Sequence, residues 1–352
     1  MPAASIHSAR AVFHHEVGQR VRVAAPGRLH LGFLDPAGTL GRRFGSLGLV
    51  IDGFETITEV GAADSDAFSA APGVPAAELD RAVAHVQALR GHTGRHAPLH
   101  LHLRQVLPPH AGFGSGTQLA LAVGRAFAVW QGLDVSTPQL AAWLGRGLRS
   151  GVGIAGFDQG GLLLDGGPGQ DAQQGQPAPL LARLTLPDDW RVIVVLDPRQ
   201  QGLAGSAEKE ALARLAPLPQ ATAAELCHQV LMQILPGAAD GHFPSFARGL
   251  TRVQTLLGAH FAPAQAAGAY ASAAVARAMQ TIAQLAGDGG AGIGQSSWGP
   301  TGFAVVASAP AAQALLAAVE PSIDPALAVH VVRARNHGAR IEPLPAASQR
   351  AA

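Results

Sequence analysis

The chain has one cysteine, one lysine and one tyrosine in 352 residues. A single cysteine, Cys227, excludes an intrachain disulfide and any cysteine-based zinc site, and it fits a reducing cytoplasm. With Lys209 as the sole lysine, any side-chain grip on phosphate must rely almost entirely on arginine. Charged residues make up only 14% and the net charge is +1, so no broad field favours nucleic acid or an anionic membrane. Residues 1–20 carry no apolar run long enough for a secretion signal. No stretch approaches the roughly 18 apolar residues of a membrane span. These absences describe a soluble, cytoplasmic protein. Its 48% hydrophobic content is enough for a sizeable core.

The length suggests two domains, and we place the boundary after residue 185, giving 1–185 and 186–352. Residues 170–180, rich in Gln, Pro and Gly, are the candidate linker. Val21 and Val23 alternate with Arg20 and Arg22 as a strand, punctuated by Pro26-Gly27. Residues 46–60 read as two strands around a turn at Asp52-Gly53. Leu79, Val83, Val86 and Leu89 mark one face of a helix over 77–90. Leu99, Leu101 and Leu103 alternate as a strand. Helices are expected over 118–131 and 137–146, the second capped by Ser136 or Thr137 with Pro138 in its first turn. A glycine-dense segment, 151–169, holds a short strand at 162–164. The second half opens with a strand over 191–197. Helices follow near 206–216, 222–235, 240–258 and 265–286, then a glycine loop over 287–294, a strand over 303–307, a helix over 310–319 and a strand over 328–334. The tail after Pro343 is expected to be disordered.

Four glycine-rich segments carry the candidate chemistry. In Gly112-Phe113-Gly114-Ser115-Gly116-Thr117, small residues let backbone N–H groups converge on one anion. The helix that follows points its positive end at the same place. Ser115, Thr117 and the adjacent Gln118 add polar side chains. A plain tight turn before a buried helix would use the same glycines, and no Walker pattern is present. The second segment, Pro26 to Asp35, delivers Arg28, His30 and Asp35 to one end of a sheet. Nearby Arg42 and Arg43 are candidates for a pyrophosphate clamp, or for solvated surface. The third places Arg146 and Arg149 among glycines ahead of Asp158, a candidate magnesium ligand in competition with Asp35 and Asp165. The fourth, Gln295-Ser296-Ser297-Trp298, lies between glycines before a strand, where Trp298 can stack on a ring or pack in the core. His92, His96, His100 and His102 have no acid among them and read as structural or solvated. His110 differs because it enters the phosphate loop.

The order of these segments resembles the GHMP kinase superfamily. Within it, Gly41–Ser46, Gly114–Gly124, Gly145–Gly151, Gly294–Phe303 and Arg335–Ala339 resemble the β-ribofuranosylaminobenzene 5′-phosphate synthases. The resemblance spans 20–340. It implies an α+β fold with an N-terminal ribosomal-protein-like domain and a C-terminal ferredoxin-like domain. It implies condensation of phosphoribosyl pyrophosphate with 4-aminobenzoate, releasing CO₂ and pyrophosphate. It also implies Mg²⁺ without an organic cofactor, and a homodimer. Under that reading Gly112, Gly114, Ser115, Gly116, Thr117, Gln118, Arg28, Arg42, Arg43, Arg146, Arg149, Gln295, Ser296, Ser297 and Trp298 bind substrate. Asp35 and Asp158 hold metal or act on the sugar, and His30 or His110 moves protons. A small-molecule kinase using ATP and a non-catalytic phosphate-ligand binder are the competing readings.

Overall fold

A computed structural model describes residues 20–169, 178–202, 210–211 and 213–345. The first sheet has seven strands: β1 (Arg20–Asp35), β2 (Phe44–Ala62), β3 (Ala67–Ala70), β4 (Leu99–Gln105), β5 (Leu162–Asp165), β6 (Leu180–Leu184) and the late β11 (Arg340–Leu344). Helices α1 (Ala76–Thr93), α2 (Ser115–Trp130), α3 (Thr137–Trp143) and α4 (Val152–Gln159) belong to this half. The spine is the antiparallel β1–β2 ribbon, running from Val21 opposite Val60 to Asp35 opposite Phe44.

Pro26-Gly27 and Asp52-Gly53 do not end strands. Both lie inside the ribbon, where the register shifts between Pro26 and Arg28. A bulge tolerates proline because the ladder is already interrupted there. The shift also exchanges the two faces of β1. Before it, Val21, Val23 and Ala25 enter the core under α1 and α2. After it, Leu29 and Leu31 enter a different core, shared with the second sheet. Arg28 and His30 therefore come out on the α2 side, where both line a cavity.

The second sheet orders its strands β10 (Ala328–Val332), β7 (Arg191–Leu196), β9 (Thr301–Val306) and β8 (Gly292–Gln295), all antiparallel. Taken in chain order this is 4-1-3-2, the ferredoxin-like arrangement implied above. Alternation along β7 serves two cores. Val192, Val194 and Leu196 face the first half. Ile193 and Val195 face α8 (Ala273–Ala286) and α9 (Ala309–Val319). Between β7 and β8 also lie α5 (Gln220–Gln229), continued through a π-helical turn at Val230–Ile234 into α6 (Leu235–Ala239), and α7 (Phe243–Phe261).

Several expected boundaries move. The segment 151–169 contains α4 as well as β5. The candidate linker lies mostly outside the described residues, and β6 begins at Leu180. Of the helix expected over 206–216, residues 206–209 and 212 lie outside them, and the described part is helical at 210–211 and 213–214. Residues 265–272 are irregular rather than helical, and 292–295 form β8 rather than loop. Leu344, expected in a disordered tail, pairs with Arg20 of β1 in β11.

Arg335 fastens this return of the chain. It is fully buried, pairs with Glu55, and donates to the carbonyls of His337 (3.2 Å) and Gly338 (2.9 Å). Asn336 bonds both the N–H and the carbonyl of Leu186. Removing one partner of a buried pair strands the other's charge. Arg335→Leu should therefore lower unfolding free energy by about 3 kcal/mol in urea titration; an unchanged midpoint would show that the pair is dispensable.

Candidate active site

The glycine loop between β4 and α2 needs left-handed backbone at three successive places: His110 (φ 56°), Gly112 (φ 93°) and Gly114 (φ 76°). At Gly112 a Cβ would come within 2.6 Å of the Ser296 carbonyl oxygen, so the position admits only glycine. Three segments meet here. The Ser296 hydroxyl donates to the Gly112 carbonyl (2.7 Å) and accepts from the His30 N–H (2.9 Å). Thr301 Oγ1 donates to the Ala111 carbonyl (2.6 Å), and the Ser297 N–H donates to the His30 carbonyl (3.2 Å).

The loop opens into a cavity of about 950 Å³. Ser115, Gly116 and Thr117 lie on its floor at the first turn of α2, which has no side-chain cap. The first N–H groups of a helix lack intrahelical partners and carry its positive end. Arg28, Arg43, Arg81, Arg146 and Arg149 form the walls. Arg28 donates to the Gly112 carbonyl (3.0 Å), and its guanidinium lies over Gly114. Arg81 and Arg146 approach over Gly116, and Arg81 is held by Glu78 at 2.8 Å. Burial and the neighbouring Arg81 charge both pull Arg146 below the usual arginine range. Guanidiniums crowded in this way are relieved by an anion between them.

Arg81 was not among the residues expected from sequence. It is spaced three from Glu78 on α1, a pattern shared by surface ion pairs, and only the packing of α1 on α2 brings it to the loop.

The other expected residues divide. His110, Ser297 and Trp298 line the cavity. Ser296 clamps the loop from behind. Gln118 is buried and donates to the Gly153 carbonyl (2.9 Å), which docks α4 on α2. Gln295 is turned inward, accepting from the Ala271 N–H (2.6 Å) and donating to Gln265 (2.8 Å). Arg42 donates to the Gly167 carbonyl and is not part of the wall.

The structure does not bring the two expected acids to the cavity. Asp35 accepts from the N–H groups of Gly38 (2.8 Å) and Thr39 (2.6 Å) and from the Thr39 hydroxyl (2.7 Å), closing a turn. Asp158 accepts from the Thr137 hydroxyl (2.5 Å). Asp165 accepts from five donors, including the N–H groups of Gly151 (2.7 Å) and Gly167 (2.8 Å). It thereby anchors the loop that carries Arg146 and Arg149. Among the described residues, no Asp or Glu lines this cavity, and no group of three His, Cys, Asp or Glu side chains could hold a metal. The described carboxylates therefore do not supply a magnesium site in this cavity.

His30 is buried, with 3% of its surface exposed, and among the described residues neither ring nitrogen has a partner. Burial, then the charges of Arg28 and Arg149, push its pKa down to about 3. The ring is neutral at physiological pH.

Residues 79–164, which include the glycine loop and α2, match the GHMP kinases N terminal domain. Homoserine kinase from Cytophaga hutchinsonii superposes with a TM-score of 0.67 at 17% identity, covering 94% of this chain and 99% of its own. Mevalonate diphosphate decarboxylase from Enterococcus faecalis superposes with a TM-score of 0.63 at 17% identity, covering 92% and 99%. The architecture is that of the GHMP kinase superfamily. In sequence, the chain is 35% identical over 245 residues to the beta-ribofuranosylphenol 5′-phosphate synthase of Archaeoglobus fulgidus, covering 67% of this chain and 76% of the relative. It is 30% identical over 247 residues to the protein of the same name from Methanothermobacter thermautotrophicus, covering 66% and 74%. The chain belongs to the beta-ribofuranosylphenol 5′-phosphate synthase family, and is an enzyme of the pentosyltransferase class. The relatives are named for a phenol, where the sequence resemblance implied an aminobenzene. Among the described residues, no helix is long and apolar enough to cross a membrane.

His30 supplies a pH test. Its folded pKa lies below the ordinary 6.5, so the unfolded chain takes up the proton first. The resulting stability is full above pH 6.5 and drains as pH falls toward 3. His30→Gln should lose less Tm than wild type across that window. Parallel acid slopes would show that the ring is not held neutral.

Proposed function

We propose that this enzyme joins phosphoribosyl pyrophosphate to a para-substituted benzoate, with 4-aminobenzoate the first candidate, giving a C-riboside 5′-phosphate, CO₂ and pyrophosphate. The observation that carries this reading is the 950 Å³ cavity walled by five arginines and a glycine loop with no carboxylate among its described lining residues. Such a site suits a multiply charged anion whose charge grows on departure. The family name supports a product that joins ribose 5-phosphate to an aromatic ring.

The electron accounting closes without a base. The bond from the anomeric carbon to pyrophosphate breaks, and its pair leaves on the phosphate oxygen. Arg28, Arg81, Arg146 and the first-turn N–H groups of α2 take up that charge. The ring carbon bearing the carboxylate forms the new bond to the anomeric carbon, and the para substituent delocalises the positive charge left in the ring. The bond to the carboxylate then breaks, its pair restores aromaticity, and CO₂ departs. The resemblance assigns the reaction to tetrahydromethanopterin synthesis and one-carbon metabolism.

Purified protein given phosphoribosyl pyrophosphate and carboxyl-labelled 4-aminobenzoate should release ¹⁴CO₂ only when both are present. Arg81→Gln should cut kcat/KM about 100-fold, the scale of losing one preorganised donor to a departing oxyanion. No release with either 4-aminobenzoate or 4-hydroxybenzoate would overturn the reaction, and phosphorylation of a small alcohol by ATP would replace it with a kinase.

A further inference from the structure

A second cavity, of about 420 Å³, lies behind the first. His30, Phe33, Ser297 and Trp298 wall both, so these four residues form a partition between them. The chemistry changes across it. All five arginines lie on the first side. Among the described residues, the second cavity has no Arg, Lys, Asp or Glu in its walls. Its surface is apolar, with Leu257, Phe261, Tyr270 and Met279 among the walls, and the rings of Phe261 and Trp298 pack at 4.9 Å.

The polar groups in these walls are mostly already used. Gln254 donates to the Leu31 carbonyl (2.6 Å) and accepts from the Gln295 N–H (2.9 Å). Gln295 is satisfied by Gln265, Ala271 and the Ser297 carbonyl. Burial holds the Tyr270 hydroxyl protonated, with its pKa pushed up to about 12. Among the described, fully buried polar atoms of these walls, the two ring nitrogens of His30, at the partition, lack a partner. Buried polar groups are rarely left unpaired without a ligand or water to meet them.

We infer that the second cavity is the subsite for the aromatic acceptor: the ring enters it beside Trp298 and Phe261, and its carboxyl-bearing carbon rests at the His30–Ser297 partition. This inference takes the acceptor's identity from the proposed reaction. A pocket of uncharged walls with a few polar groups suits a flat ring. It also separates two electrostatic demands. Pyrophosphate gains charge as it leaves and needs the arginines. The benzoate loses its charge as CO₂ and would be over-stabilised by them before reaction. A carboxylate held among neutral groups has less to lose on becoming CO₂. The arrangement would also select against acceptors bearing a second charge at the para position, since the inner walls offer no counter-ion.

The test is calorimetric titration of 4-aminobenzoate into the full-length protein at saturating pyrophosphate, independent of turnover. Ala269 and Thr255 line only the second cavity and are both exposed, so Ala269→Trp and Thr255→Trp fill it without disturbing a buried core. Each should weaken 4-aminobenzoate binding about tenfold or more, the scale of overfilling a packed site. Pyrophosphate affinity should stay at the wild-type value, which also reports that the variants are folded. Wild-type benzoate affinity in both variants, or no benzoate binding by wild type, would overturn the inference. Benzoate binding that the two tryptophans abolish, combined with no ¹⁴CO₂ release by wild type, would leave the subsite standing and remove the proposed reaction instead.

Discussion

The hydroxyl of Ser296 holds the active site together. It sits between the Gly112 carbonyl and the His30 N–H, and so connects the loop before α2, the bulged half of β1 and the segment between β8 and β9. These three segments are far apart in the chain and belong to two sheets. Thr301 adds a second bond to the same loop at Ala111. Gly112 then becomes obligatory, because any side chain would strike the Ser296 carbonyl. The position of the first-turn N–H groups of α2 relative to the partition around His30 follows from this one junction. A shift of an ångström there would separate the two cavities' contents, and near-attack geometry is lost over such distances.

The second constraint is charge. Five guanidiniums line one cavity; Glu78 pairs with one of them, Arg81, while Asp165 is spent on the backbone of the arginine-bearing loop and Asp35 on a turn. Burial and the Arg81 charge make the Arg146 guanidinium costly without a ligand. An anion that gathers several guanidiniums offsets that cost, and it does so most fully when its charge is highest. Such a site favours a leaving pyrophosphate over a phosphate ester that stays bound.

Much of this was legible in the sequence, and the failures have physical causes. The glycine loop could be read because Gly, Ser and Thr are concentrated where an apolar filler would otherwise sit. Arg28 and His30 followed from their strand. Their facing depended on the Pro26 bulge, which from sequence resembles a strand end. Asp35 was expected at the metal, yet Asp35-x-x-Gly38-Thr39 is the spacing of an acid that closes its own turn. Asp165 followed by two glycines carried a similar signal. Arg81 had none, since its role arises from α1 packing on α2. The short strands β6, β8 and β11 escaped because glycine, proline and charge obscure alternation over four or five residues.

The proposed anion site draws its positive charge from arginine and backbone N–H groups. Its most direct test is calorimetric titration of pyrophosphate into the protein with all divalent metal chelated. Saturable binding that weakens as ionic strength rises is the expected result, because long-range attraction to guanidinium is screened by salt. Binding that appears only after magnesium is restored would contradict it, and would mean that the protein recognises a metal complex rather than the anion.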